Sequence, residues 1–234
     1  QLSRDAEEPL WSKLARRNLP ELAYPPRIGG AAVKGRIPTR AGRKTTVREN
    51  LELAQAEQTI VRITRGAFEA QGELGYVEAL GEDLLLMALI SDDIWLNGFA
   101  LVRIGDISEL EAPHEHADFV EEALRIREES SPSSSAISLE DIGSAIRTAG
   151  RLFPLVVIHR EEVEPETCRI GRVQKVTKDS VTLLEIGPDA EWEEEPSNLP
   201  LEDITRVDFG GGYEEALALV GGKGPDVPHL KSVT

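Results

Sequence analysis

Residues 60–83 recur, without a gap, 96 positions further along the chain, and this repetition constrains the fold more than any other feature. Val61 meets Val157, Gly75 meets Gly171, Val77 meets Val173 and Asp83 meets Asp179, while Ile60/Val156, Leu74/Ile170 and Leu80/Val176 exchange one aliphatic for another. One inserted residue later Trp95 falls on Trp192, and Asp106-Ile107-Ser108 falls on Asp203-Ile204-Thr205. After a shorter loop, Glu121-Glu122-Ala123-Leu124 returns unchanged as Glu214-Glu215-Ala216-Leu217. A period of this size is too long for a solenoid unit that needs neighbours to bury its face, and suits a small self-contained domain. With 234 residues the chain has room for two of them, each with a modest core.

The same element order is predicted in each stretch. Thr46-Val47-Arg48-Glu49 carries a capping box, in which Thr46 caps a helix and Glu49 reciprocates, and Ser138-Leu139-Glu140-Asp141 is its weaker equivalent. Short runs rich in Val and Ile follow at 59–64 and 155–159 and read as strands. Strands are then expected at 74–80, 84–90 and 99–104, and at 169–176 and 180–186, followed by a more polar return that ends at Asp203-Ile204. Gly81-Glu82-Asp83 and Thr177-Lys178-Asp179 read as hairpin turns. Helices at 117–127 and 213–220 close the two stretches, their Ala-Leu faces expected to cover the open end of each unit. The expected segments are an arm at 1–44, a first unit at 45–127, a Ser-rich linker at 128–137, a second unit at 138–220 and a flexible tail at 221–234. Strands this short and numerous favour a strongly curled sheet or a closed small barrel, because long flat edges invite association.

The pattern Ile60-Val61-Arg62-Ile63, Gly75-Tyr76-Val77, Asp83-Leu84-Leu85-Leu86 and Leu101-Val102-Arg103-Ile104-Gly105-Asp106-Ile107 resembles the Sm-like version of the SH3-type small barrel. Gly171-Arg172-Val173, Asp179-Ser180-Val181-Thr182-Leu183 and Asp203-Ile204 repeat it. The resemblance implies a mainly β, α+β fold of two tandem barrels, and a tendency to associate strand to strand. It does not carry RNA binding with it. The family's Asn shortly after the turn Asp is missing beyond Asp83 and Asp179, and Arg103 is separated from Gly105 by Ile104.

Charge is divided sharply along the chain. Residues 11–48 hold ten Lys/Arg against the single acid Glu21, a local net of +9, so that a chain of net −16 carries −25 elsewhere. A body so acidic repels phosphate backbones and is a poor nonspecific surface for nucleic acid. Within the arm, Leu10, Trp11, Leu14 and Ala15 share one face of a short amphipathic helix whose other face carries Arg16 and Arg17. Residues 20–44 are punctuated by Pro and Gly too often for a regular element, and present Arg36, Arg40, Arg43 and Lys44. This arm is expected to lie on an acidic protein surface, of its own or a second chain; nucleic acid is the other candidate, and a membrane surface the least favoured. No apolar run reaches the roughly 18 residues a membrane span needs, and no signal-peptide pattern opens the chain, although a start at Gln1 leaves a removed leader open. One cysteine, Cys168, excludes an internal disulfide and suits a reducing, cytoplasmic setting.

No nucleophile, base and orienting group stand together in the sequence, and no cofactor motif is complete. His114-Glu115-His116 has metal-type ligands in a loop without a counterpart in the second stretch. His159 takes the slot of Ile63, and Cys168 that of Gly72, both expected as strand residues. Gly210-Gly211-Gly212 precedes a helix without the Lys or Ser/Thr of a phosphate loop. Glu193-Glu194-Glu195 is an acidic loop beside Trp192. Trp95 and Trp192, which recur, are either twin core anchors or aromatic contacts for a partner. The expected protein is therefore a non-catalytic interaction or scaffold protein without a cofactor, with a protein partner or itself as its ligand. Nucleic-acid binding through the arm is the first alternative, and a metal-dependent enzyme at His114/His116 the second. If the arm binds nucleic acid, affinity measured by fluorescence anisotropy falls steeply between 50 and 200 mM salt, by about a hundredfold or more, and neutralising Arg36, Arg40, Arg43 and Lys44 flattens that slope. A salt-insensitive affinity would exclude this mode.

Overall fold

A computed structural model describes residues 46–69, 71–129 and 136–225; the arm, with Trp11, Leu14, Arg16, Arg17, Arg36, Arg40, Arg43 and Lys44, lies outside the described residues, as do most of the linker and the last nine residues. The first stretch runs α1 (Val47–Glu57), β1 (Ile60–Thr64), β2 (Glu73–Leu80), β3 (Leu84–Ile90), β4 (Leu96–Arg103), β5 (Glu109–Glu111) and α2 (Ala117–Ile126). The second runs α3 (Ile142–Leu152), β6 (Val156–His159), β7 (Cys168–Val176), β8 (Ser180–Glu185), β9 (Ser197–Pro200), β10 (Arg206–Phe209) and α4 (Gly212–Gly221).

Local chemistry accounts for most boundaries. Thr46 Oγ1 accepts the Glu49 N–H at 3.2 Å, and Glu49 Oε2 accepts the Thr46 N–H at 2.9 Å, so the expected capping box opens α1. In the second stretch the cap lies three residues later than expected. Asp141, not Ser138, has the extended backbone of an N-cap, and its Oδ1 accepts the Ser144 N–H at 2.8 Å. Both hairpin turns form: the Gly81 N–H donates to Leu84 O at 2.7 Å and the Thr177 N–H to Ser180 O at 2.8 Å. Gly75 and Gly171 lie where adjacent strands press together, and a Cβ there would collide with the carbonyl oxygens of Ala88 and Leu184.

The two expected barrels are not what the chain builds. All ten strands of the described residues join one open sheet in the order β5-β1-β2-β3-β4-β10-β6-β7-β8-β9, and every pairing is antiparallel. This overturns the Sm-like, SH3-type assignment and with it the picture of an internal repeat of closed globules. The decisive contact is the seam between β4 and β10, where Val102, Leu101, Ala100 and Phe99 face Arg206, Val207, Asp208 and Phe209. A closed barrel would satisfy the β4 edge within its own stretch; here the backbone groups of that edge are taken by a strand more than 100 residues later. The correspondence of letters survives only as a similar strand order on the two sides of the seam, β5-β1-β2-β3-β4 and β10-β6-β7-β8-β9. Irregular register at Val77/Ala79, Ala88/Ile90 and Val173/Lys175 lets this long sheet bend without closing.

The core shows why the seam holds. Leu84, Leu86 and Ala88 of β3 and Phe99 and Leu101 of β4 pack in one cluster with Val207 and Phe209 of β10, Val156 and Ile158 of β6, and Val181 and Leu183 of β8. Ala145, Ile146 and Ala149 of α3 complete it. Leu85 and Met87, pointing the other way from β3, pack under Leu51 and Ala54 of α1 with Val61, Ile63 and Val102. The unbroken apolar run of β3 is thus buried on both faces. Phe99, Phe153 and Phe209 form an aromatic triangle with centroids 4.9 to 6.1 Å apart. Gly210, at φ +73, sits against the Phe153 ring and turns the chain into α4. Because the largest cluster belongs to both stretches, calorimetry is expected to show one unfolding transition. Leu101→Ala, at 1 % exposure, should lower it by about 2–5 kcal/mol without splitting it. Two resolved transitions would contradict a shared core.

Candidate functional site

The densest constellation of charged side chains lies on the seam. Arg65, directly after β1, has no exposed surface. Its Nη1 donates to Glu161 Oε2 at 2.7 Å and its Nη2 to Glu161 Oε1 at 3.0 Å, a bidentate pair between the two stretches. Glu69, four residues on across a turn, accepts from Nε and Nη2 at 3.2 Å each. Glu161 also accepts from Thr205 Oγ1 at 2.7 Å. Arg206 continues the network, donating from Nη1 to Glu73 and to Glu69 and from Nε to Asp208 Oδ1 at 2.7 Å. Asp208 Oδ2 lies 3.1 Å from His159 Nε2. Arg103 crosses the seam as well, donating from Nη2 to the carbonyls of Glu202 and Ile204.

Burial by itself would lower the Arg65 and Arg206 pKa values, yet the facing carboxylates outweigh it and both stand above their ordinary value. Burial would likewise raise Glu161 and Asp208, but the Arg65 guanidinium holds the first, and Arg206 with His159 the second, below the usual carboxylate range. The charged groups of this network are spent on one another. The chemistry it supports is that of a clamp between stretches. Asp106, in the turn after β4, and Arg160, beside Glu161, each keep one buried atom without a hydrogen-bond partner, Oδ2 and Nε, and burial raises the Asp106 pKa against the pull of Arg103.

The residues singled out in the sequence fall at several separate places, with His159 and Cys168 in strands as expected. Trp95, between β3 and β4, is 45 % exposed and lies under the Arg127 guanidinium at 4.1 Å, while Arg127 Nη1 donates to the Asp93 and Ile94 carbonyls. Trp192 is packed with Ile186, Leu155 and Leu217; its Nε1 donates to Gly221 O at 2.9 Å and Gly224 rests on its ring. The two tryptophans are therefore not twins: one is a half-exposed stacking platform and the other an anchor for α4. His114 is buried with Nδ1 2.9 Å from Glu111 Oε2, whereas His116 is exposed beside Glu115. Among the described residues no group of three or more His, Cys, Asp or Glu is placed to hold a metal ion. Cys168 opens β7 and is exposed, but partial burial, with Asp208 and Glu214 nearby, raises its thiol pKa, which keeps it protonated at neutral pH. Gly211, with the extended backbone of an N-cap, donates its N–H to Glu214 Oε2 at 2.8 Å; the positive φ falls at Gly210.

Two surfaces escaped the sequence. On α4, Tyr213, Ala216, Leu219 and Val220 are all exposed, Leu219 at 84 % and Val220 at 75 %, while Leu217 alone is buried beneath the helix. On α2, Leu124 packs inward while Phe119 and Ile126 stand 65 % and 67 % exposed. The expected Ala-Leu contact is made only by its leucine. Spacing could have revealed the outer stripe, since Phe119, Ala123 and Ile126 fall at i, i+4 and i+7.

Comparison with family models, with curated proteins and with solved structures finds no match to this chain.

The seam has a measurable signature. Glu161→Ala leaves Arg65 with one carboxylate and should cost about 3–5 kcal/mol at pH 7, read by urea denaturation. Because Glu161 and Asp208 are held low in the folded state, the stability they contribute is present above about pH 4–5, where unfolded carboxylates are ionised, and is lost as pH falls through their folded values. Glu161→Gln should shrink that acid limb. An acid limb identical to that of the parent protein would remove Glu161 from this account.

Proposed function

We propose that this chain is a non-catalytic protein–protein interaction or scaffold protein, acting in the cytoplasm. The observation that carries the reading is the exposed apolar surface of α2 and α4: Phe119, Ile126, Tyr213, Leu219 and Val220 face solvent on helices whose other sides are firmly packed. Side chains of this size left outside on helix faces are what partner surfaces present. The single cysteine fits a reducing compartment, and among the described residues no helix is long and apolar enough to cross a membrane.

The sheet edges are a poorer route to a partner. β5 has three residues, two of them glutamates, and Pro113 lies two residues beyond it; β9 has four residues, is preceded by Pro196 and ends in Pro200. Short, charged and proline-flanked edges resist strand addition. Partner binding is assigned instead to the helix faces and to the basic arm, for which an acidic protein surface is the favoured ligand. The +9 charge of residues 11–48 supports nucleic acid as the second reading.

Leu219→Ser/Val220→Ser removes the outer apolar face of α4 without touching Leu217. In affinity capture from the native host followed by mass spectrometry, this variant should keep the circular dichroism and melting temperature of the parent and lose most of at least one captured protein. Capture of the same proteins in the same amounts would remove α4 as the interaction surface.

A further inference from the structure

A cavity of about 550 Å³, open to solvent, lies where the end of α1, the middle of β2, the start of β4 and the end of α2 converge. Tyr76, Val77, Leu96 and Leu124 supply its apolar part, and Gln55, Gln58, Glu78 and Glu129 its polar part. This volume falls in the range of sites that enclose a side chain or small ligand. Among the described residues that line it the charged groups are Glu78 and Glu129, with no Lys or Arg, and Glu121 acts on the Tyr76 phenol from beside them. The basic residues closest in sequence are engaged elsewhere, Arg125 with Glu122 on the solvent side of α2 and Arg127 with the Trp95 ring and the Asp93 and Ile94 carbonyls. Gln55 Nε2 donates to Glu78 O at 2.9 Å and ties the end of α1 to β2, so one wall of the groove is braced. Burial raises the Tyr76 pKa, with Glu121 adding to the effect, so the hydroxyl stays protonated and able to donate.

An apolar floor with an acidic rim suits an occupant that combines an aliphatic stem with a positive head. We propose that this groove docks an arginine- or lysine-bearing peptide segment of a protein partner. The stem of such a side chain packs on Leu96, Leu124 and the Tyr76 ring, and its cation meets Glu129 and Glu121. A chain carrying −25 outside residues 11–48 also attracts basic partners at long range, which raises the encounter rate. The proposal rests on the interaction reading above and names the partner chemistry for one surface of it.

The test titrates the isotope-labelled full chain with the synthetic peptide acetyl-Leu-Arg-Leu-Arg-Leu-Arg-amide and with its Glu-for-Arg counterpart, followed by nuclear magnetic resonance. The basic peptide should shift Gln55, Tyr76, Leu96, Leu124 and Glu129 as a connected set, and the acidic peptide should shift none of them. Glu121→Gln/Glu129→Gln, one change on α2 and one in the segment after it, should weaken binding about tenfold, and raising salt should weaken it further. Shifts scattered over the other carboxylates, or binding unchanged in the double variant, would overturn the proposal. Host capture with the same variant separates this failure from that of the wider reading. If parent and variant retain the same partners while the peptide does not bind, the groove is wrong and the interaction function stands. If neither retains any host protein, the interaction function itself fails.

Discussion

A guanidinium with no exposed surface sits where the two stretches of the chain meet, and the fold depends on what surrounds it. Arg65 cannot be left unpaired at that depth, because a buried charge without a partner costs several kcal/mol. Its partner Glu161 belongs to the other stretch. The pair is satisfied only when β4 and β10 are hydrogen-bonded in their observed register, and that register also places Arg206 against Glu69 and Glu73. Backbone pairing, ionic pairing and the shared aliphatic core thus require the same arrangement, which is the condition for one well-defined state rather than two loosely tethered units.

Joining the stretches through β4 and β10 also determines where exposed strand edges remain. A ten-stranded open sheet has two, at β5 and β9, and both are short, acidic or flanked by proline. Inside the sheet, β3 and β4 are covered on both faces, by α1 on one and by the cluster around α3 on the other. On α2 and α4, which lie outside this double layer, Phe119, Ile126, Tyr213, Leu219 and Val220 are left exposed. Surface suited to a partner therefore collects on helices and in the groove between α1 and α2, while the sheet serves as the rigid support beneath them.

Much of the local structure was legible. The capping box at Thr46, the hairpin turns at Gly81–Asp83 and Thr177–Asp179, and the aliphatic runs of β1, β3, β6 and β8 are written in neighbouring residues, and each formed close to its expected position. The short strands β5 and β10 were not legible: three or four residues with alternating charge carry too little periodicity to stand out from a loop. The Arg65–Glu161 pair did leave a trace. Those residues occupy matching slots of the two stretches with opposite charge, a pattern that fits two positions brought face to face.

Sequence by itself determined most of the helices and strands, the two hairpin turns, the Thr46 cap, and the split between a basic arm and an acidic body, because each of these follows from side chains a few residues apart. Tertiary structure alone decided that β10 takes the free edge of β4, so that one open sheet forms in place of two closed barrels. The physical reason is that every strand edge offers the same N–H and C=O groups; which edges join is settled by long-range packing and by buried charges that have no other partner.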